Sequence, residues 1–169
     1  YPARSVYKLE EIHQKQPVIE KGSRVLDVGA APGSWSLWLS RQVGDRGAVV
    51  AVDLNPLSLS ARPENITEIT GDIYEEQIQR RISDAGPYDV VVSDAAPNTS
   101  GNRTLDTARS AGLVEFLIYM LPAWLAPGGT FVAKIFQGGE EQQLLAALRG
   151  EFSSAKMFKP KACRKESFE

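Results

Sequence analysis

The fold is decided by the stretch Val25-Leu26-Asp27-Val28-Gly29-Ala30-Ala31-Pro32-Gly33-Ser34-Trp35. An apolar run ends in an acid and a glycine, small residues follow, and apolar residues then recur at helical spacing behind Ser34, a good N-cap residue. This order predicts a strand, a tight loop and a helix. Ligands of open α/β sheets bind at the carboxyl ends of the strands. Because small residues let a ligand approach the backbone, we expect this loop to hold a nucleotide-type cofactor.

Strands and helices alternate along the rest of the chain. Strands are predicted at 24–28, 48–53, 66–70, 88–93, 130–135 and 153–158, with a last one beginning at Ser167. Helices are predicted at 4–14, 34–43, 73–84, 105–125 and 140–149. Unbroken apolar strands such as 48–53 are typical of parallel sheets covered on both faces. The sequence therefore predicts an α/β fold, a doubly wound, mostly parallel seven-stranded sheet with helices on both faces.

Length and composition set the outer limits. The chain has 169 residues, a formal net charge of −2 and one cysteine, Cys163, which excludes an internal disulfide and fits a reducing compartment. We expect a single domain over residues 1–169, with the helix and connector of residues 1–22 packed on it and with termini that are trimmed or unobserved. No apolar run is long enough to suggest a membrane segment. Cys163 is interpreted as an incidental thiol, and His13 as a solvated residue on the polar face of the first helix.

The distribution of charge is more informative than its sum. A segment without acids near the end of the chain carries the cations Lys156, Lys159, Lys161, Arg164 and Lys165. Clustered lysine and arginine side chains provide the attraction to phosphates that dominates nucleic-acid affinity. A solvated basic tail explains the same segment equally well.

Acids end several of the predicted strands, namely Asp27, Asp53, Asp72 and Asp94. The carboxyl ends of parallel strands share one edge of a sheet, so these side chains converge on one crevice. Asp53 follows Gly33 by 20 residues, a separation at which an acid accepts hydrogen bonds from ribose hydroxyls. Turn formation is the alternative interpretation of each acid, and plain core packing is the alternative for Trp35.

The residues of the glycine turn limit the type of cofactor that it can hold. It reads Gly29-x-x-x-Gly33 with Pro32 inside, and it lacks the middle glycine of a dinucleotide-binding G-x-G-x-x-G. Proline also removes an amide that a pyrophosphate would use. A cofactor with ribose and adenine but no phosphate fits better, and S-adenosylmethionine is the leading candidate.

Taken together, these motifs make the sequence similar to the FtsJ-like family of RNA ribose 2′-O-methyltransferases over nearly the whole chain. The resemblance rests on segments in a fixed order, at residues 3–12, 26–36, 93–101, 125–129, 132–138 and 164–166. It departs from the family pattern at Ser34, Arg164 and Phe168, so the surroundings of the glutamate near the end differ from the usual ones.

The resemblance implies a catalytic tetrad of Lys8, Asp94, Lys134 and Glu166. It implies cofactor contacts by Gly33, Trp35, Asp53, Asp72 and Asp94, to which the turn analysis adds Gly29. Lys134 lies within the apolar run 131–136, and burial favours the neutral amine that a general base needs. Lys8 would then repel a proton from Lys134 or stabilise the developing alkoxide, with Asp94 and Glu166 holding the two amines. No residue spacing indicates a metal site.

The predicted activity is methyl transfer from S-adenosylmethionine to a ribose 2′-OH of RNA, with a uridine of large-subunit ribosomal RNA as the expected target. The expected partner is ribosomal RNA or a ribosomal particle, and the enzyme is expected to be a cytoplasmic monomer, or mitochondrial if its source is eukaryotic. Four alternatives stay open at this point. They are methylation of transfer RNA or an mRNA cap, methylation of a small molecule or protein, NAD-dependent oxidation, and RNA binding without catalysis.

Overall fold

The computed structural model describes residue 1, residues 3–95 and residues 100–161. Helices and strands alternate through these residues in the order α1 (Val6–Lys15), β1 (Arg24–Val28), α2 (Ser34–Val43), β2 (Ala48–Asp53), β3 (Ile66–Thr70), α3 (Glu76–Asp84), β4 (Tyr88–Ser93), α4 (Arg103–Trp124), β5 (Leu125–Ala133) and α5 (Glu141–Glu151). Within the described ranges, no helix combines the length and the apolar character that a membrane span requires.

The strands form one parallel sheet in the order β3-β2-β1-β4-β5. The chain moves outward from β1 to β3, then crosses to the other side of β1 to form β4. This reversal places the topological switch point between β1 and β4, where open α/β sheets bind ligands at the carboxyl ends of their strands. The predicted α/β class is confirmed.

Helices cover both faces of the sheet, which explains why the strands are apolar without alternation. On one face, α1 and α2 pack through Val6, Leu9 and Trp38 against side chains such as Val25 and Val90. The opposite face, covered by α3 and α4, has its own core with the fully buried Tyr88 and Trp124 among its members. A smaller cluster joins α4, β5 and α5.

The described residues contain five strands, so the expected seven-stranded sheet is wrong for this part of the chain. Residues 153–160 form no strand, and the expected last strand at Ser167 lies outside the described residues. The segment follows α1 instead of the sheet. Lys15 Nζ lies 4.5 Å from the ring centroid of Phe158, and the backbone N–H of Lys161 donates to Glu11 Oε2 at 2.7 Å.

Element boundaries differ where side chains or glycines shape the ends. α3 begins at Glu76 and not at Ile73, because Asp72 Oδ1 accepts the backbone N–H of Tyr74 and holds a turn there. β5 begins at Leu125 and not at Thr130, and it continues through Pro127–Gly129 with an irregular register against β4. Ser34 is the first residue of α2, whose N-cap is Gly33.

His13 is not solvated as expected. Its ring packs edge-to-face on Trp38 with the centroids 5.3 Å apart. Its Nδ1 accepts the backbone N–H groups of Val18 at 3.2 Å and Ile19 at 3.4 Å. The residue therefore ties the connector after α1 to the helix layer.

Candidate active site

The loop between β1 and α2 is the tight turn that the sequence predicted. Gly29 has φ +74°, and a Cβ atom there would lie 2.6 Å from the Cα of Ala95. Gly33 has φ +121°, and its Cβ would lie 3.0 Å from Leu59. Both positions therefore favour glycine for their backbone conformation, and Gly29 requires it for space as well. The turn brings the end of β1 against the residue that follows Asp94.

Asp53, at the end of β2, holds this loop. Its Oδ2 accepts the backbone N–H of Ala31 at 3.0 Å, and its Oδ1 accepts that of Asn55 at 2.8 Å. The turn-forming interpretation of Asp53 is thus part of its role. A carboxylate has about four lone-pair sites, so two remain for hydroxyl donors. At the next strand end, Asp72 uses Oδ1 to accept the N–H of Tyr74 at 2.9 Å.

A half-buried ion pair lies just past the ends of β4 and β5. Lys134 Nζ lies 3.3 Å from Asp94 Oδ1, and each side chain is only 16% exposed. The N–H of Lys134 donates to the Ser93 carbonyl at 2.9 Å, which extends the ladder past β5. Lys134 Nζ also lies 5.6 Å from the ring centroid of Phe136. The expected proximity of Asp94 and Lys134 is present in the structure.

Asp27 lies one strand away on β1 and is fully buried. Ser36 donates its hydroxyl to Asp27 Oδ2 at 2.6 Å, while Oδ1 has no hydrogen-bond partner in the described part of the chain. The pKa of Asp27 is raised to about 7, chiefly by burial and also by the nearby charges of Asp94 and Asp53, against the lowering effect of the Ser36 hydrogen bond. Turn capping, the alternative considered for Asp27, does not describe this geometry.

Trp35 follows the glycine turn and is 5% exposed within the core shared by α1 and α2. The core interpretation of this residue therefore holds. Its indole Nε1 is buried and, among the residues described here, has no acceptor. Buried polar atoms almost always have a partner. The unpartnered Nε1 of Trp35 and Oδ1 of Asp27, on the two sides of the turn, fit a loop that completes its hydrogen bonds with a ligand.

Lys8 and Glu166 complete the predicted tetrad. Lys8 is half-buried on α1, next to the buried Leu9. Val6 and Leu9 of this helix belong to the core cluster against which Val132 of β5 also packs. Strand alternation puts Lys134 on the same face as Val132. Contact between the two ammonium groups stays a prediction. Glu166 lies outside the described residues, and so do Cys163, Arg164 and Lys165.

Sequence reasoning missed several polar residues around the site. Asp106 of α4, 5% exposed, accepts the N–H of Ser100 at 2.8 Å and its hydroxyl at 2.9 Å. These hydrogen bonds lower the pKa of Asp106 and fix the segment that leads into α4. Ser110 accepts the N–H of Phe136 at 3.1 Å and so holds the backbone just after Lys134. Ser36 is the third missed residue, and no spacing in the sequence pointed to any of them.

The parallel sheet, the glycine turn at its switch point and the acids around it define an α/β protein with a candidate site for a nucleotide-type cofactor. The chain belongs to the FtsJ-like methyltransferase family, whose model matches residues 1–169. It is 50% identical over 169 residues to the ribosomal RNA large subunit methyltransferase E of Treponema denticola, which covers all of this chain and 85% of that protein. The protein of the same name from Syntrophobacter fumaroxidans is 47% identical over 170 residues, which cover all of this chain and 86% of the relative.

Solved structures agree with this assignment. A ribosomal RNA methyltransferase from Plasmodium falciparum superimposes with a TM-score of 0.85 at 25% identity, over 96% of this chain and 93% of that one. Fibrillarin from Aeropyrum pernix, solved with natively bound S-adenosyl-L-methionine, gives a TM-score of 0.64 at 18% identity, over 87% of this chain and 66% of that one. The second likeness concerns the fold alone.

Proposed function

We propose that this enzyme transfers a methyl group from S-adenosylmethionine to the 2′-OH of a ribose in large-subunit ribosomal RNA. The observation that carries the proposal is the half-buried Lys134–Asp94 pair beside the glycine turn, because it sets an amine next to the candidate cofactor crevice. The names of the relatives support ribosomal RNA as the class of substrate.

The cofactor would be held by the strand ends and the turn. Asp53, with lone pairs to spare, accepts the ribose hydroxyls, and Asp72 borders the adenine side at the edge of the sheet. Gly29 and Gly33 let the cofactor approach the backbone, and Trp35 closes the helix side. When bound, S-adenosylmethionine supplies a methyl carbon that is already activated by its sulfonium.

The protein must align the hydroxyl with that carbon and take up its proton. In this proposal, Lys134 Nζ accepts the proton of the 2′-OH. Asp94 fixes the position of Nζ, but an ion pair also favours the ammonium form. The pair must therefore loosen when the site fills, and the proposed contact of Asp94 with the methionine part of the cofactor provides for this. Lys8 stabilises the developing oxyanion and opposes the positive charge on Lys134, while Glu166 orients Lys8 or the ribose.

The RNA would run along α1 and the segment that follows α5. Lys161 is anchored to Glu11 of α1 through its backbone N–H, and the side chains of Lys156 and Lys161 are exposed. Exposed lysines next to a catalytic helix can neutralise phosphates on either side of the target nucleotide. A monomer is sufficient for this arrangement.

The test is methylation of defined RNAs with isotopically labelled S-adenosylmethionine, followed by mass mapping of the modified nucleosides. Free large-subunit ribosomal RNA, assembled large subunits, transfer RNA and capped mRNA are compared at equal concentration. We expect label on a ribose, at a uridine of the large-subunit RNA. Label on a base, or on transfer RNA or the cap in preference to ribosomal RNA, would contradict the proposed substrate.

A further inference from the structure

Asp27 is an ionisable group that the proposed reaction does not use. It is fully buried, and Ser36 satisfies only one of its two oxygens. The other oxygen, Oδ1, is buried without a partner within the described ranges. A carboxylate in such a place is unfavourable, because burial penalises charge that is not paired.

The surroundings of Asp27 are charged, and they face it from several elements. Strand alternation with Val25, Ala51 and Val92 places Asp27, Asp53 and Asp94 on the sheet face covered by α1 and α2. Four groups surround Asp27: Ser36 from α2, Asp53 at the end of β2, Asp94 after β4, and Lys134 after β5, which is paired with Asp94. Helix α1 adds Lys8 and His13 to this face of the sheet.

The strand order relates this cluster to the cofactor. β1 lies between β2, whose Asp53 is proposed to hold the ribose, and β4, whose Asp94 is proposed to meet the methionine part. In S-adenosylmethionine the sulfonium joins those two parts. The positive sulfur would therefore cross the end of β1, just beyond Asp27.

We propose that Asp27 is a specificity-determining residue that lets the enzyme distinguish the cationic cofactor from its neutral demethylated product by exchange of one proton. The inference rests on the proposed function. Binding of the sulfonium drives the proton from the Asp27 carboxyl to solvent, and the carboxylate then faces the positive charge. After methyl transfer the sulfur is an uncharged thioether, and Asp27 takes a proton back. Once the sulfur is uncharged, nothing favours the carboxylate form of Asp27, so the product binds less tightly than the cofactor.

The direction of the pH dependence follows from linkage. Burial raises the pKa of Asp27 to about 7, so the ligand-free carboxyl changes its protonation in the neutral range. A ligand that favours the carboxylate binds more tightly as pH rises toward that value and gains nothing further above it. Each pKa unit by which the sulfonium lowers the pKa of Asp27 gives about a tenfold gain in affinity.

The experiment is isothermal titration calorimetry of the ligand-free protein with S-adenosylmethionine and with S-adenosylhomocysteine from pH 5.5 to 8.5. Two buffers of different ionisation heat report the protons released. For the wild type we expect the affinity for S-adenosylmethionine, relative to the product, to rise about tenfold across this range, with proton release only on binding S-adenosylmethionine. Asp27→Asn should make the affinity ratio independent of pH.

Three further variants make the test specific. Ser36→Ala removes the hydrogen bond that lowers the pKa of Asp27, so the midpoint should move to higher pH. This variant keeps the test decisive if Asp27→Asn folds poorly. Asp89→Asn removes a carboxylate at the opposite end of the sheet, where it accepts the N–H of Arg24. His13→Gln removes the imidazole that packs on Trp38 in this layer. Both variants should keep the wild-type midpoint.

The outcomes separate the two proposals. Equal pH dependence of binding for cofactor and product, or an affinity ratio that still changes with pH in Asp27→Asn, overturns the role of Asp27. Either result leaves the proposed function untouched. Failure to bind S-adenosylmethionine at any pH overturns the proposed function and this inference with it. A midpoint that Ser36→Ala leaves in place also counts against Asp27 as the titrating group.

Discussion

Replacement of Asp27 by asparagine should change how the stability of the ligand-free protein depends on pH. The pKa of Asp27 is raised from 3.8 to about 7 in the folded protein, chiefly by burial. Between these values the unfolded chain has lost its proton and the folded chain still holds it. The free energy of unfolding therefore falls as pH rises from about 4 to about 7, and it levels off above that range.

The size of this effect follows from the same values. One pKa unit corresponds to about 1.4 kcal/mol, so the raised pKa corresponds to an upper limit of about 4 kcal/mol. Asparagine cannot ionise, keeps the size of the side chain and can still accept the Ser36 hydroxyl. The unfolding free energy of Asp27→Asn, minus that of the wild type, should therefore increase by several kcal/mol between pH 4 and pH 8.

The assay is urea denaturation followed by circular dichroism at half-unit steps of pH, with the slope against denaturant checked for each variant. Asp45→Asn, at an exposed loop position, is the matched control and should follow the wild-type curve. Parallel curves for wild type and Asp27→Asn would refute the reasoning, because they would show that Asp27 does not hold a proton in the folded protein.

Two other predictions concern the turn and the basic segment. Gly29→Ala should destabilise the protein by at least about 3 kcal/mol and weaken cofactor binding, because it combines a positive φ with a clash against Ala95. Gly128 has φ +81° but open space around it, so Gly128→Ala should cost only about 1–2 kcal/mol. Thermal or urea unfolding measures both losses. Similar losses for the two variants would show that the clash is unimportant. Replacing Lys156, Lys159 and Lys161 together by glutamine should weaken RNA binding and reduce the slope of log affinity against log salt by about 2. An unchanged slope would show that this segment is not part of the RNA-binding surface.

The interior of the sheet could be predicted closely because its signals are local. The bounds of β1, α2, β2, β3 and β4 match the prediction, since each apolar run ends at a polar or glycine residue. The strand predicted at residues 153–158 is absent, because a short run with one aromatic residue fits a strand and an irregular extended segment equally well. Only the tertiary fold decides that Phe158 packs on Lys15.

Side-chain environments were harder to predict than elements. The convergence of Asp27, Asp53 and Asp94 followed from parallel strands, and the structure brings them close enough to interact. The partial burial of His13 was missed although it follows Leu9 by four residues, a spacing that places both on one side of a helix. The hydrogen bond that Ser36 donates to Asp27 joins α2 to β1, whose packing no sequence spacing encodes.

The most direct test of the account is the methyl-transfer rate of Lys134→Ala and Lys134→Met, measured in single turnovers with saturating S-adenosylmethionine and RNA. Calorimetry on the same samples gives the affinity for the cofactor, and Lys21→Ala, at an exposed position before β1, serves as the exposed-lysine control. A positioned general base contributes about 10²–10⁴-fold, so the rate should fall at least a hundredfold while cofactor affinity stays within a few-fold of the wild type. Methyl transfer at the wild-type rate in either Lys134 variant would contradict the central claim.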